Sequence, residues 1–264
     1  MTQIMGSDKQ GLIFEIISAR ISEEAAEKKH VIYTLQVRFI SGSDDLSPSV
    51  IERRYTHFLN LYNELKKEQP QLMANVAFPK KVLTGNFDNE LISERSTGFE
   101  SLLKHVSMES RLRTSDALFK FLQQVELSRA KELLEKNDHV FAYPILENSF
   151  KLLNKVFTDR SPAVLLALCR LLACSMSIPD MPDSLKWADL TLHRYEGVSD
   201  SDLLELYLPL LQACVKVWWK NGREKDELEQ RISNLQRQGM KVDESKTLME
   251  MVSVVELKIF PPDT

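Results

Sequence analysis

Apolar and polar residues alternate over the first 55 positions and then settle into helical spacing for the rest of the chain. Leu12, Phe14 and Ile16 alternate with Ile13, Glu15 and Ile17. Val31, Tyr33, Leu35, Val37 and Phe39 alternate more cleanly with Ile32, Thr34, Gln36 and Arg38. A two-residue period belongs to strands. The acidic Ser22–Lys29 segment links the two runs as a turn or short loop, and a third strand, about Val50 to Tyr55, follows the turn-rich stretch Ser41–Ser49. Three short strands in series predict an antiparallel meander. Phe58, Leu61, Tyr62 and Leu65 then recur at helical intervals up to the break at Pro70. An irregular stretch, Gln71 to Asp88, contains Pro79 and Gly85 and is long enough to suggest a functional loop. Helical spacing returns in Leu91, Ile92, Arg95, Phe99, Leu102, Leu103 and Val106. A short helix near 115–125 closes this half, with Ser115 as its candidate N-cap.

The second half reads as helix throughout, with segments near 128–136, 140–158, 162–177, 183–196, 201–219, 223–238 and 244–259. Ser161-Pro162 pairs an N-cap with proline at the first helical position. Gly197, Gly222 and Gly239 stand just past helix ends, where a left-handed cap is favoured. Connections of a few residues imply antiparallel helix pairs. The pattern is consistent with tetratricopeptide-like hairpins, although no clean 34-residue period can be aligned and an irregular helical bundle remains open. In Trp218-Trp219 the two rings, at consecutive positions, face different sides of a helix, so one is expected in the core and the other at a surface or an interdomain contact.

Composition narrows the function. The chain of 264 residues has a net charge of −4. Divided near residue 126, it holds 16 Lys+Arg against 17 Asp+Glu before the boundary and 18 against 21 after it. Neither half is basic, so nucleic acid is not an expected partner, and any anion site must be a local cluster. Cys169, Cys174 and Cys214 lie in apolar helical stretches without a CxxC spacing, which predicts buried free thiols. Residues 1–10 carry no apolar signal core. The longest apolar run, Ala163 to Ser177, is interrupted by Arg170 and is too short to span a bilayer. Membrane contact, if made, is expected to be peripheral.

Three clusters carry candidate chemistry. Arg53-Arg54-Tyr55-Thr56-His57-Phe58 stands where strand gives way to helix. Guanidinium groups offer a planar fork of donors matched to phosphate oxygens, and an aromatic ring packs against the apolar face of a cyclic ligand. A solvated strand end is the alternative reading of that motif alone. Phe78-Pro79-Lys80-Lys81-Val82-Leu83-Thr84-Gly85 places two lysines on a backbone stiffened by proline. Arg95 lies near the start of a helix, where free amides and the dipole favour anions. The five histidines show no metal-ligand spacing, and GxGxxG, GxxxxGK[ST] and GxSxG sequences are absent. No catalytic residue, metal or cofactor is expected.

The order and spacing of these clusters over about residues 8–126 resemble the PX (phox homology) domain, through Arg-Arg-Tyr-Thr-His-Phe, Phe-Pro-Lys-Lys with Gly85 following, and Ile-Ser-Glu-Arg-Ser-Thr-Gly-Phe. The resemblance implies an α+β domain, a three-stranded antiparallel sheet with a helical subdomain. It also implies a lipid headgroup site, for phosphatidylinositol 3-phosphate or for other, more highly phosphorylated phosphoinositides. Arg54 matches the arginine that holds the 3-phosphate of phosphatidylinositol 3-phosphate, and Tyr55 the aromatic that stacks on the inositol ring. Lys81 matches the lysine that contacts the 1-phosphate, and Arg95 the arginine that binds the 4- and 5-hydroxyls. Arg53 and Lys80 read as auxiliary charges, and Val82 and Leu83 fit a loop that dips into the bilayer. Leu72, Met73 and Val76 read equally as helpers in insertion or as core, and Phe78 as core.

The helical region, about residues 128–264, resembles the PX-associated B domain of the sorting nexin 20/21 branch by architecture and helix lengths. The resemblance implies a non-enzymatic adaptor on the cytosolic face of early endosomes, recruiting protein cargo or adaptors through the helical domain. A soluble interaction scaffold whose PX domain binds no lipid is the alternative.

Overall fold

The computed structural model describes residues 11–22, 28–39, 48–242 and 246–261. Most of the expected links at 22–29 and 41–49 lie outside the described residues. The described chain divides into two compact units.

The first unit comprises residues 1–125 together with Lys151–Phe157. Its sheet is built from β1 (Leu12–Ile21), β2 (Val31–Phe39) and β3 (Ser49–Arg54). The order β1-β2-β3 is antiparallel throughout, as the alternating pattern predicts. On the central strand β2, Val31, Tyr33, Leu35 and Val37 face inward and are buried. β1 shifts register between Ile16 and Ser18. The Ile16 N–H on this edge strand donates to Glu100 Oε1 at 2.7 Å.

Glu100 belongs to α2 (Asn89–Met108), which packs on β1. The other helices of this unit are α1 (Tyr55–Glu68), the single turn α3 (Ser110–Arg113) and the first half of α4 (Asp116–Glu135). Two short helices expected near 115–125 and 128–136 are thus one continuous helix. The core is aromatic. Phe58 of α1 and Phe99 of α2 stack with ring centroids 3.9 Å apart, Tyr33 meets both edge-on, and Phe121 of α4 lies 5.1 Å from Phe58. Such pairs add about 0.5–1.5 kcal/mol beyond area burial.

The second unit comprises residues 126–150 and 158–264. Its helices are the rest of α4, then α5 (His139–Val156, whose residues from Lys151 on belong to the first unit), α6 (Pro162–Met176), α7 (Asp183–Tyr195), α8 (Ser201–Leu204), α9 (Tyr207–Lys220), α10 (Asp226–Arg237) and α11 (Leu248–Ile259). The expected helix 201–219 breaks between α8 and α9. Pro209 explains the break: it has no N–H to donate back to Glu205, so it is accommodated in the first turn of α9. Ser161 caps α6 as its sequence predicts, its Oγ accepting from Val164 N–H. Trp218 is half-buried, donating from Nε1 to Asp189 at 3.0 Å, whereas Trp219 is exposed.

α6 is buried from Ala163 to Ser175 and packs against α7 and α11. Such all-round burial suits an apolar helix, yet Arg170 sits in its middle, 3% exposed. Its Nη2 meets Glu256 Oε1 of α11 at 2.8 Å, and Lys131 of α4 meets Glu256 Oε2 at 2.7 Å. Burial pushes the Glu256 carboxyl up, but Arg170 and Lys131 outweigh it and hold the group below the usual carboxylate range. All three cysteines are free and buried. Burial raises the Cys169 thiol to about 12 and Cys174 to about 11, so both stay protonated and unreactive near neutral pH.

Removing one member of a buried ion pair leaves an uncompensated charge, at about 3–5 kcal/mol. Glu256→Ala is therefore expected to destabilise the second unit by that amount, and Arg170→Met with Glu256→Leu to recover most of it. All three tryptophans lie in this unit, so urea unfolding followed by tryptophan fluorescence reads the effect directly. An Glu256→Ala midpoint equal to wild type would contradict the ion-pair role.

Candidate functional site

β3 ends in Arg53-Arg54, and α1 begins at Tyr55. Successive strand side chains point to opposite faces, so the two arginines diverge. Arg53 turns inward and is 1% exposed. Its Nε donates to the Phe121 carbonyl at 2.7 Å, its Nη1 to the Glu52 carbonyl at 2.8 Å, and its guanidinium lies over the Phe121 ring. This corrects the expectation that Arg53 is an auxiliary charge: its fork is consumed inside the core, tying β3 to α4. Arg54 takes the other face and is exposed.

At the turn into α1, the Arg54 N–H donates to His57 Nδ1 at 3.3 Å. Burial, reinforced by Arg53 and Arg54, lowers the His57 pKa to about 4. The ring is therefore neutral near pH 7, which leaves Nδ1 able to accept.

Tyr55 is the hub of the site. Its hydroxyl donates to the Pro79 carbonyl at 2.8 Å, bringing the irregular loop to the start of α1. Pro79 is also fixed from behind. A Cβ on Gly98 of α2 would overlap Pro79 Cγ and stand 2.9 Å from Cδ, so only glycine admits the ring. Alanine would gain about 1 kcal/mol of helix propensity there, but a steric clash of this kind costs about 1–3 kcal/mol. Lys80 and Lys81 follow directly, both exposed.

Arg95 arrives from α2 on the same helical stripe as Phe99, Leu102, Leu103 and Val106. That period carries it inward: Arg95 is 3% exposed and its guanidinium carbon sits 4.3 Å from the Tyr55 ring centre. Nη2 donates to Asn86 Oδ1 at 3.0 Å, while the buried Nε has no hydrogen-bond partner among the described residues. Neither Arg95 nor Lys80 nor Lys81 forms an ion pair among the described residues. The fold thus joins Arg95 to Tyr55 directly, Arg54 to Tyr55 by adjacency, and Lys81 to Tyr55 through Pro79.

The loop beyond Lys81 exposes apolar surface. Leu83 is 98% exposed, Val82 half-buried, and Phe87, which the sequence pattern did not single out, 42% exposed. Leu72, Met73 and Val76 belong to the packed part of the loop. Met73 is fully buried, the Leu72 carbonyl bonds the His105 ring, and the Val76 carbonyl accepts from Tyr62. Phe78 stacks on Tyr62 at 4.9 Å. Among the described residues, no group of His, Cys, Asp and Glu could hold a metal ion, and no helix is long and apolar enough to cross a membrane.

The His57 environment makes a pH prediction. Its folded pKa, about 4, lies below the ordinary 6.5, so the unfolded chain binds the proton more readily between those values. The stability linked to a neutral His57 is complete above pH 6.5 and is lost as the pH falls from about 6.5 to 4. An NMR titration of the His57 ring should give a midpoint near 4, and a midpoint near 6.5 would contradict this environment.

The PX domain family matches residues 42–125 of this chain. Human sorting nexin-21 is 31% identical over 244 residues, covering 92% of this chain and 64% of that protein. Bovine sorting nexin-20 is 32% identical over 234 residues, covering 85% of this chain and 70% of that protein. The chain spans about two thirds of the length of these relatives. Among solved structures, a designed CISK-PX domain is 24% identical and aligns to 42% of this chain and 97% of its own, with a TM-score of 0.35. Its sequence likeness to sorting nexin-20 and sorting nexin-21 over most of its length, with a PX domain in its first half, makes this chain a member of the sorting nexin family.

Proposed function

We propose that the chain is a membrane-trafficking adaptor that binds phosphatidylinositol 3-phosphate on endosomal membrane through Arg54, Tyr55, Lys81 and Arg95, and recruits protein cargo through its helical unit. The observation that carries this reading is Arg95: a buried guanidinium, laid over an aromatic ring, without an anionic partner among the described residues. Buried charges are ordinarily paired, because an unpaired one loses hydration without compensation. A polyhydroxylated, phosphorylated ring would supply the missing acceptors. Arg54 and Lys81, exposed on either side of Tyr55 in the chain's path, suit its phosphates. Leu83, almost wholly exposed in the same loop as Lys81, suits the hydrocarbon beneath a lipid headgroup better than bulk water. The family membership supports trafficking as the setting.

Headgroup and bilayer contributions are comparable. A hydrogen bond to a charged group is worth about 1.5–3 kcal/mol, and fully burying a leucine about 1.5–3 kcal/mol. Each corresponds to roughly 10- to 150-fold in affinity. Vesicles presenting each phosphoinositide in turn test the proposal. Arg54→Ala and Lys81→Ala are expected to weaken binding to 3-phosphoinositide vesicles by at least about tenfold each, with unchanged thermal midpoints because both side chains are exposed. Leu83→Ser should weaken vesicle binding alone, sparing a soluble headgroup. Arg54→Ala binding as tightly as wild type would contradict the assignment. Wild-type protein that ignores every phosphoinositide yet captures partners through residues 128–264 would favour the lipid-independent scaffold instead.

A further inference from the structure

Asn86 was not among the residues that the sequence pattern marked, yet its Oδ1 accepts from Arg95 Nη2 at 3.0 Å. The same amide reaches the other way, Nδ2 donating to the Val82 carbonyl at 3.3 Å. Its position is fixed by a tight turn. Gly85 takes a left-handed φ of 74°, its carbonyl accepts from Asp88 N–H at 3.0 Å, and a Cβ at that position would meet Asp88 Oδ2 at 2.7 Å. One amide therefore links the buried guanidinium to the backbone of the loop that carries Lys81 and the exposed Leu83.

An arginine presents five N–H donors, and Asn86 engages one. Nε is buried, but the remaining Nη hydrogens are not engaged by Asn86, so a ligand oxygen that reaches them need not evict the amide. The geometry points to Asn86 as a positioning residue for this site: it sets the rotation of the Arg95 guanidinium and ties that group to the Val82–Leu83 segment, so that headgroup and bilayer are met by one connected element. This inference rests on the lipid reading above and adds to it how the two contacts are coupled. Asn86 is half-buried, and the role assigned to it is exercised through Arg95.

The test compares Asn86→Ala with wild type against two probes, soluble inositol 1,3-bisphosphate by calorimetry and vesicles containing phosphatidylinositol 3-phosphate by sedimentation, with the thermal midpoint recorded alongside. Losing the bond that orients Arg95 should weaken the soluble probe by about 3- to 10-fold, the worth of one hydrogen bond. Vesicle binding should weaken by a larger factor, because the loop is released as well. A purely structural role would lower the thermal midpoint and leave soluble-probe affinity unmoved, which would overturn the inference. So would Asn86→Ala binding the soluble probe more tightly, since Asn86 would then be a competitor for Arg95. A wild type that binds both probes beside an unaltered Asn86→Ala sinks this inference alone, whereas a wild type silent to both removes the lipid reading and this one with it.

Discussion

The first unit is organised around a guanidinium held out of water without a counter-charge among the described residues. Arg95 lies on the apolar stripe of α2, over the ring of Tyr55, with one bond to a neutral amide and an unpartnered Nε. Keeping such a group buried is unfavourable unless its surroundings hold it. The fold supplies that constraint from three directions. Glu100 pins α2 to the edge of the sheet, Gly98 admits Pro79 against the helix, and the Tyr55 hydroxyl holds the Pro79 carbonyl. The same contacts that fix Arg95 also bring the lysine-bearing loop to the end of β3, so the site is a by-product of how the core closes.

The two arginines at the end of β3 illustrate how a single-residue step decides role. Arg53 spends its donors on the Phe121 and Glu52 carbonyls and supports the aromatic core. Arg54, one residue on, keeps an exposed guanidinium at the mouth of α1. The second unit uses a buried charge differently. There Arg170 is paired with Glu256, with Lys131 as a further partner of the carboxylate, so the same chemistry yields an internal tie between α4, α6 and α11.

Much of this arrangement was legible in the sequence. Alternation along Val31–Phe39 marked the central strand, and the spacing Arg95, Phe99, Leu102, Leu103, Val106 already placed Arg95 on a buried face. The same alternation separates Arg53 from Arg54, although their adjacency invited reading both as surface charges. What the pattern did not reveal depends on contacts between distant segments. Asn86 acquires its role only when the loop folds back on α2, and nothing local distinguishes it from any loop asparagine. Arg170 stood out as a charge in an apolar run, but its partner lies 86 residues away. The break before α9 was within reach of local reasoning, since Pro209 cannot sit in a helix interior without losing a bond.

The central claim is that the Arg95 guanidinium receives a ligand. Side-chain arginine NMR of the wild-type protein during titration with inositol 1,3-bisphosphate addresses it at the atom concerned. The account requires the Arg95 guanidinium signals to move with ligand, while the Arg53 signals stay in place. Saturable binding that leaves the Arg95 signal untouched would show that the headgroup is held elsewhere.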